Sequence, residues 1–268
     1  MSIPFANYHK QRAAFGALFA DDCCSRILLL KGGSGSGKTS LLKTCLSEAA
    51  TGRQPVSVQL RDSAVSVTEI FSRSAQRIGW KNLTQFSQCA QKLAAHTPHL
   101  NVTGVDQKGE TNNLHIALNV NTLSERENRQ TQLTDAWFED VEKLGEPLVM
   151  VFDVYEAASS EVKNWLSGPF LSRTADYAAV RVAIAGQSVP DAGIEWNHCH
   201  TLHELFGISD AREWLPVVAA LGKKVPVEPA EIWLGGICYS HNGDPSAIMK
   251  VINTFPDACS LMPEGKRQ

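Results

Sequence analysis

The stretch that decides the fold is RILLLKGGSGSGKTSLL, residues 26–42. Its apolar half, Ile27 through Leu30, is contiguous rather than alternating, the pattern of a strand buried on both faces of a parallel sheet. The glycine-rich half has little to pack with, and the chain then resumes as a predicted helix over residues 39–50. Gly32-Gly33-Ser34-Gly35-Ser36-Gly37-Lys38-Thr39 fits GxxxxGK[ST] in full, in the strand–loop–helix context that the pattern requires. Glycines let successive N–H groups turn inward around phosphate oxygens where a Cβ would collide, and the helix behind adds the positive end of its dipole. In this reading residues 32–37 form the cradle and the Lys38 ammonium reaches the β and γ phosphates. The Thr39 hydroxyl coordinates a magnesium ion, with Ser40 beside it in the phosphate-binding set but not on the metal.

A metal at such a loop needs a second oxygen ligand, which a carboxylate at the carboxyl end of a neighbouring buried strand supplies. PLVMVFD, residues 147–153, meets that description with Asp153. Glu156, three residues on, is placed to polarise an attacking water, or else to cap the helix beginning near Ala157 or face solvent.

Outward from these two strands the pattern alternates. Residues 11–21 read as a helix, PVSVQL (55–60) as a strand, and 67–78 and 83–95 as helices. The polar segment 101–110 and LHIALNV (114–120) read as an insertion carrying a short strand or hairpin arm. A helix over 132–144 uses Leu133, Trp137, Val141 and Leu144 as its stripe and stops at Gly145. A helix over 159–171, a buried strand VRVAIAG (180–186) and a short apolar element at 201–205 follow, and then helices over 209–221, 230–240 and 246–254. The implied architecture is α/β: a three-layer sandwich of the P-loop NTPase type with a parallel sheet, residues 1–206, followed by a small helical subdomain, residues 207–268.

With 25 basic against 28 acidic residues in 268, the chain lacks the cationic excess that phosphate-backbone binding demands, so nucleic acid is a disfavoured partner. Seven scattered cysteines without repeated CxxC spacing fit a reducing cytoplasm better than a disulfide framework, and Cys23-Cys24 reads as buried packing. No run approaches the roughly 18 apolar residues of a membrane-spanning helix. The tryptophans, on separate elements, read as core anchors, and the cluster His198-Cys199-His200 with His203 as an edge element rather than a metal site.

Taken together, GGSGSGKTSLL, VMVFDVYEAASSEVKNWL, VRVAIAGQSVPD and NGDPSAI resemble the nucleotide-binding core of STAND ATPases, signal-transduction ATPases related to the NACHT and NB-ARC groups within AAA+. The segment 114–144 is similar to bacterial members, and the likeness runs over residues 5–254. The resemblance implies ATP or ADP with Mg2+, held by Gly37, Lys38 and Thr39 with Asp153 as second metal partner. It also implies that strand 180–186 lies between the loop strand and the Asp153 strand. Gln187 then stands at its tip, where many members carry an arginine. Gly243-Asp244-Pro245 matches a Gly-x-Pro motif whose proline packs near the base or sugar, and FANYHKQR (5–12) is comparable in place to an adenine-contacting segment. The implied function is a cytoplasmic ATP-hydrolysing signalling switch acting through self-association or an effector protein. The alternative is a nucleotide-stabilised interaction module with little turnover.

Overall fold

The computed structural model describes residues 6–20, 24–49, 55–61, 65–97 and 109–258. In chain order the elements are α1 (His9–Ala17), β1 (Ile27–Gly32), α2 (Lys38–Ala49), β2 (Val56–Gln59), α3 (Val67–Ile78) and α4 (Thr84–Ala95). Then come α5 (Glu110–Leu118), α6 (Leu123–Glu142), β3 (Leu148–Asp153), α7 (Ser160–Trp165), α8 (Leu171–Asp176), β4 (Val180–Gly186) and β5 (His200–Leu205). The chain closes with α9 (Ala211–Ala220), α10 (Ala230–Ser240) and α11 (Pro245–Asn253). The polar segment 101–108 and Cys23 lie outside the described residues.

Among the described residues the strands form one parallel sheet in the order β2-β3-β4-β1-β5, so β4 separates the loop strand from the Asp153 strand. Parallel pairing brings the carboxyl ends of the strands to one edge, where ligands of open α/β sheets bind. Side-chain alternation divides the core in two. Ile27, Leu29, Val58, Met150, Phe152 and Ile184 face Phe71, Phe86, Trp137 and Trp165 from α3, α4, α6 and α7. Leu28, Leu30, Val151, Ala183 and Ala185 face Phe15 and Leu41 of α1 and α2, and this second core continues into Trp214, Leu234 and Ile248 of α9, α10 and α11. No helix among the described residues is long and apolar enough to cross a membrane.

Several expectations need correction. Residues 114–120 are not a strand: residues 114–118 end α5 and 119–120 follow it, and Leu114, Ala117 and Leu118 make a buried i, i+3, i+4 stripe. Seven residues contain both periodicities, and the packing of α5 on α4 and α6 selects the helical one. The helix expected from 132 starts at Leu123, with the Thr122 hydroxyl accepting from the Glu125 N–H as its N-cap. The helix expected over 159–171 breaks after Trp165 into a π turn, Leu166–Phe170, that carries Gly168-Pro169. Cys24 is exposed rather than packed. Trp137, Trp165, Trp196 and Trp214 are buried, whereas Trp233 is 43% exposed and anchors no core.

The helices α4 to α6 are pinned by two buried charged side chains. The Arg129 guanidinium donates to the carbonyls of Leu93 and Ala117, the Thr97 hydroxyl and the Glu125 carboxylate, satisfying carbonyls in the last turns of α4 and α5. Asp140, 1% exposed, accepts from the Phe86 N–H at 2.9 Å and so caps the first turn of α4, where Leu83 offers no side-chain cap. Asp140→Ala removes that acceptor and is expected to lower the unfolding free energy by about 2 kcal/mol, with the exposed control Glu142→Ala within about 0.5 kcal/mol of the parent. Urea denaturation midpoints at constant slope measure both.

Candidate functional site

The loop after β1 turns through two glycines at positive φ, Gly35 at 82° and Gly37 at 87°. Gly35 has a second constraint: a Cβ there would lie 2.5 Å from a carboxylate oxygen of Asp244, so a side chain would both strain the backbone and displace the start of α11. The loop encloses its own lysine. Lys38 Nζ donates to the carbonyls of Gly32 (2.6 Å) and Gly33 (2.7 Å) and approaches Ser36 Oγ at 3.3 Å. Burial pulls the Lys38 pKa below the usual lysine value, and the Glu156 and Asp153 carboxylates oppose that shift. The ammonium is thus held over the loop, facing two carboxylates.

At the tip of β3, Asp153 is buried, 4% exposed, and both of its oxygens are engaged. Oδ2 accepts from Thr39 Oγ1 at 2.8 Å and Oδ1 from the Val154 N–H at 2.9 Å. A hydroxyl and a carboxylate held together by a hydrogen bond are the hard-oxygen donor set that Mg2+ prefers, so these residues fit that ion. Val154 sits in the left-handed region, φ 62° and ψ 46°, an unfavourable conformation for a β-branched residue. The turn that follows, Tyr155–Ala157, buries Tyr155 and sends Glu156 over the tip of β4, where its Oε2 accepts from the Gln187 N–H at 2.8 Å. Lys163 Nζ ties down the Glu156 carbonyl at 2.7 Å. A Cβ on Gly186 would lie 2.7 Å from that same Glu156 oxygen, so the bare glycine permits the approach.

These groups share one open cleft of about 240 Å3 at the carboxyl edge of the sheet. Of the residues expected from the sequence, Ser34, Gly35, Gly37, Lys38, Thr39, Ser40, Asp153, Glu156 and Gln187 line it. Gly32, Gly33 and Ser36 stand behind, holding Lys38. Pro245 is set back as well: it packs against the Gly37 position, and its neighbour Ser246 lines the cleft and donates its N–H to the Gly35 carbonyl at 3.3 Å.

Sequence reasoning does not single out Arg61, Val154 or Ser246, which line the cleft, or Tyr8 within the segment 5–12. Arg61, immediately beyond β2, lines the cleft, and its only sequence signal is a basic residue at the carboxyl end of a predicted strand. Val154 carries no signal. Tyr8, at φ 62°, places its hydroxyl 2.8 Å from the Ser36 carbonyl and 2.6 Å from that of Phe206, joining the loop to the chain leading into α9. Burial, with the nearby Asp244 charge, raises the Tyr8 pKa to about 12. The cluster at 198–203 does not converge: Cys199 is buried, and His200 Nδ1 meets the Asn197 carbonyl at 2.8 Å.

No family model and no curated protein matches the chain. Among solved structures it is similar to a Walker-type ATPase of Pyrococcus abyssi, at 16% identity and a TM-score of 0.42 over 92% of this chain and 71% of that one. It is also similar to Cdc6p from Pyrobaculum aerophilum, at 10% identity and a TM-score of 0.45 over 90% of this chain and 65% of that one.

Proposed function

We propose that the chain binds ATP with Mg2+ and hydrolyses it, and that the nucleotide state sets the contact between the loop and α11, as in a STAND-type signalling switch. The observation that carries this reading is the bond between Thr39 Oγ1 and Asp153 Oδ2, which joins residues 114 positions apart beside a lysine-bearing glycine loop. A buried carboxylate and a hydroxyl brought together beside a glycine loop suit a divalent cation and a phosphate.

In this mechanism the loop amides and the first turn of α2 bind the inner phosphates, whose charge Lys38 offsets. Thr39 and Asp153 would hold Mg2+, which when bound supplies Lewis-acid neutralisation of the β and γ oxygens. Glu156 orients a water in line with the γ phosphorus and accepts its proton. The new P–O bond to that water forms as the bond to the bridging oxygen breaks, and the electron pair leaves on the β phosphate, giving ADP and inorganic phosphate. Helices α9 to α11 act as the lid, joined to the loop through the Ser246 N–H, while the Tyr8 hydroxyl ties the loop to the chain leading into α9. Opening and closing of this lid is the signal that passes to another copy of the chain or to an effector protein.

One feature favours a second reading. The tip of β4 offers the neutral Gln187 to the cleft, which fits a module that retains nucleotide and scarcely turns it over.

Turnover and binding separate the two. The intact chain is expected to hydrolyse ATP, with Glu156→Gln lowering turnover about 100-fold or more while leaving affinity nearly unchanged. Lys38→Ala should weaken triphosphate binding by about tenfold to 100-fold. Retention of nucleotide without turnover by the intact chain would establish the module instead, and absence of binding would reject both readings. Two further variants address the architecture by calorimetry. Asp153→Asn should remove the Mg2+ dependence of triphosphate affinity, and Gly35→Ala should weaken triphosphate binding by about tenfold or more through loop strain and collision with Asp244.

A further inference from the structure

We infer that Arg61 recognises the terminal phosphoryl group, supplying from the end of β2 the positive charge that Gln187 does not supply from the end of β4. This inference rests on the nucleotide reading above and assigns one more substrate-contacting residue to the same cleft.

Placement comes first. Gln59 pairs in register with Asp153, and one residue later the Leu60 N–H donates to the Asp153 carbonyl at 2.9 Å. The main chain of Arg61 is therefore anchored beside the β3 tip. Within the cleft Ser246 stands against the loop, bonded to the Gly35 carbonyl, while Glu156 and Gln187 stand at the tips of β3 and β4. The proposed base, Glu156, marks the strand-tip side as the reacting one. Arg61 enters from that side, three strands across the sheet from the strand that leads to Lys38.

Availability comes second. Arg12, Arg73, Arg129, Arg173 and Arg212 are each paired with a carboxylate. Arg61 has no hydrogen-bond or ion-pair partner among the described residues. Its planar fork is thus free to donate two parallel hydrogen bonds, the geometry that matches phosphoryl oxygens.

Charge comes third. The ionised side chains lining the cleft are Lys38 and Arg61 against Asp153 and Glu156. Without Arg61 the lining carries a net negative charge, which opposes a polyanion; with it the lining is balanced. In the hydrolytic step Arg61 transfers no proton: it donates hydrogen bonds to equatorial oxygens while water adds and the bridging oxygen departs.

The test compares the intact chain with Arg61→Ala and Arg61→Lys, using Mg-ADP and a non-hydrolysable Mg-ATP analogue as probes in calorimetry and single-turnover kinetics with ATP. In Arg61→Ala the analogue should bind about tenfold or more weakly while ADP affinity holds within about twofold, and turnover should fall about 100-fold. Arg61→Lys should recover part of both, and melting temperatures should match the parent because the residue is exposed. Equal losses for ADP and the analogue, or no loss for either, would overturn the assignment and leave the nucleotide reading standing. An intact chain that binds neither probe would reject both.

Discussion

The geometry of the cleft depends on a hydrogen bond between two elements that are not neighbours in the sheet. Thr39 lies in the first turn of α2, behind β1, and Asp153 ends β3, yet β4 runs between those strands. The bond must pass over the end of β4, and that end is built from Ala185 and Gly186. Bulk at either position would obstruct the route or expel Glu156, which lies against Gly186. The small residues of β4 are thus a condition of the site, and the close approach of α2 to the second face of the sheet, over Ala183 and Ala185, follows from the same choice.

The second core explains why the helical carboxyl-terminal part is not a detached appendage. Trp214, Leu234 and Ile248 share one apolar cluster with Leu28, Leu30 and Leu41, so α9 to α11 pack on the same side as the helix that carries the loop's lysine. On this continuity is laid a small polar contact: the Tyr8 hydroxyl against the Ser36 and Phe206 carbonyls, and the Ser246 N–H against the Gly35 carbonyl. With its pKa raised to about 12, the Tyr8 phenol keeps its proton at physiological pH and remains a donor. The polar part of this contact is thus small beside the apolar part.

The legible parts of the sequence are those whose signal is local. β1, β3 and β4 are contiguous apolar runs, and the loop needs its glycines, lysine and threonine at fixed spacing, so each reads without knowledge of the fold. α5 does not, because seven residues accommodate either period and only its neighbours decide. The start of α6 was readable from Thr122 and Glu125, the spacing of a capping box, although the apolar stripe begins about ten residues later. Arg61 and Tyr8 belong to another class. One is brought to the cleft by strand register and the other by the packing of an amino-terminal turn, and neither relation leaves a periodic trace. Pro245 stands in a recognisable motif, but the residue of that turn that lines the cleft is Ser246.

The three-residue offset between Asp153 and Glu156 has a conformational cause. A regular strand would send residues 153 and 155 to one face and 154 and 156 to the other. Val154 instead adopts the left-handed conformation, at a cost of about 1–2 kcal/mol for such a residue. The chain direction changes there, Tyr155 turns into the core, and Glu156 turns out over β4. The bond from the Val154 N–H to Asp153 Oδ1 belongs to the same turn and fixes the carboxylate with its other oxygen on Thr39. Strain at one residue therefore orients both acids at once, and the buried β3 strand and the Lys163 bond to the Glu156 carbonyl hold it in place. A relaxed turn would free the two carboxylates to rotate independently, and the site would lose the fixed angle between them.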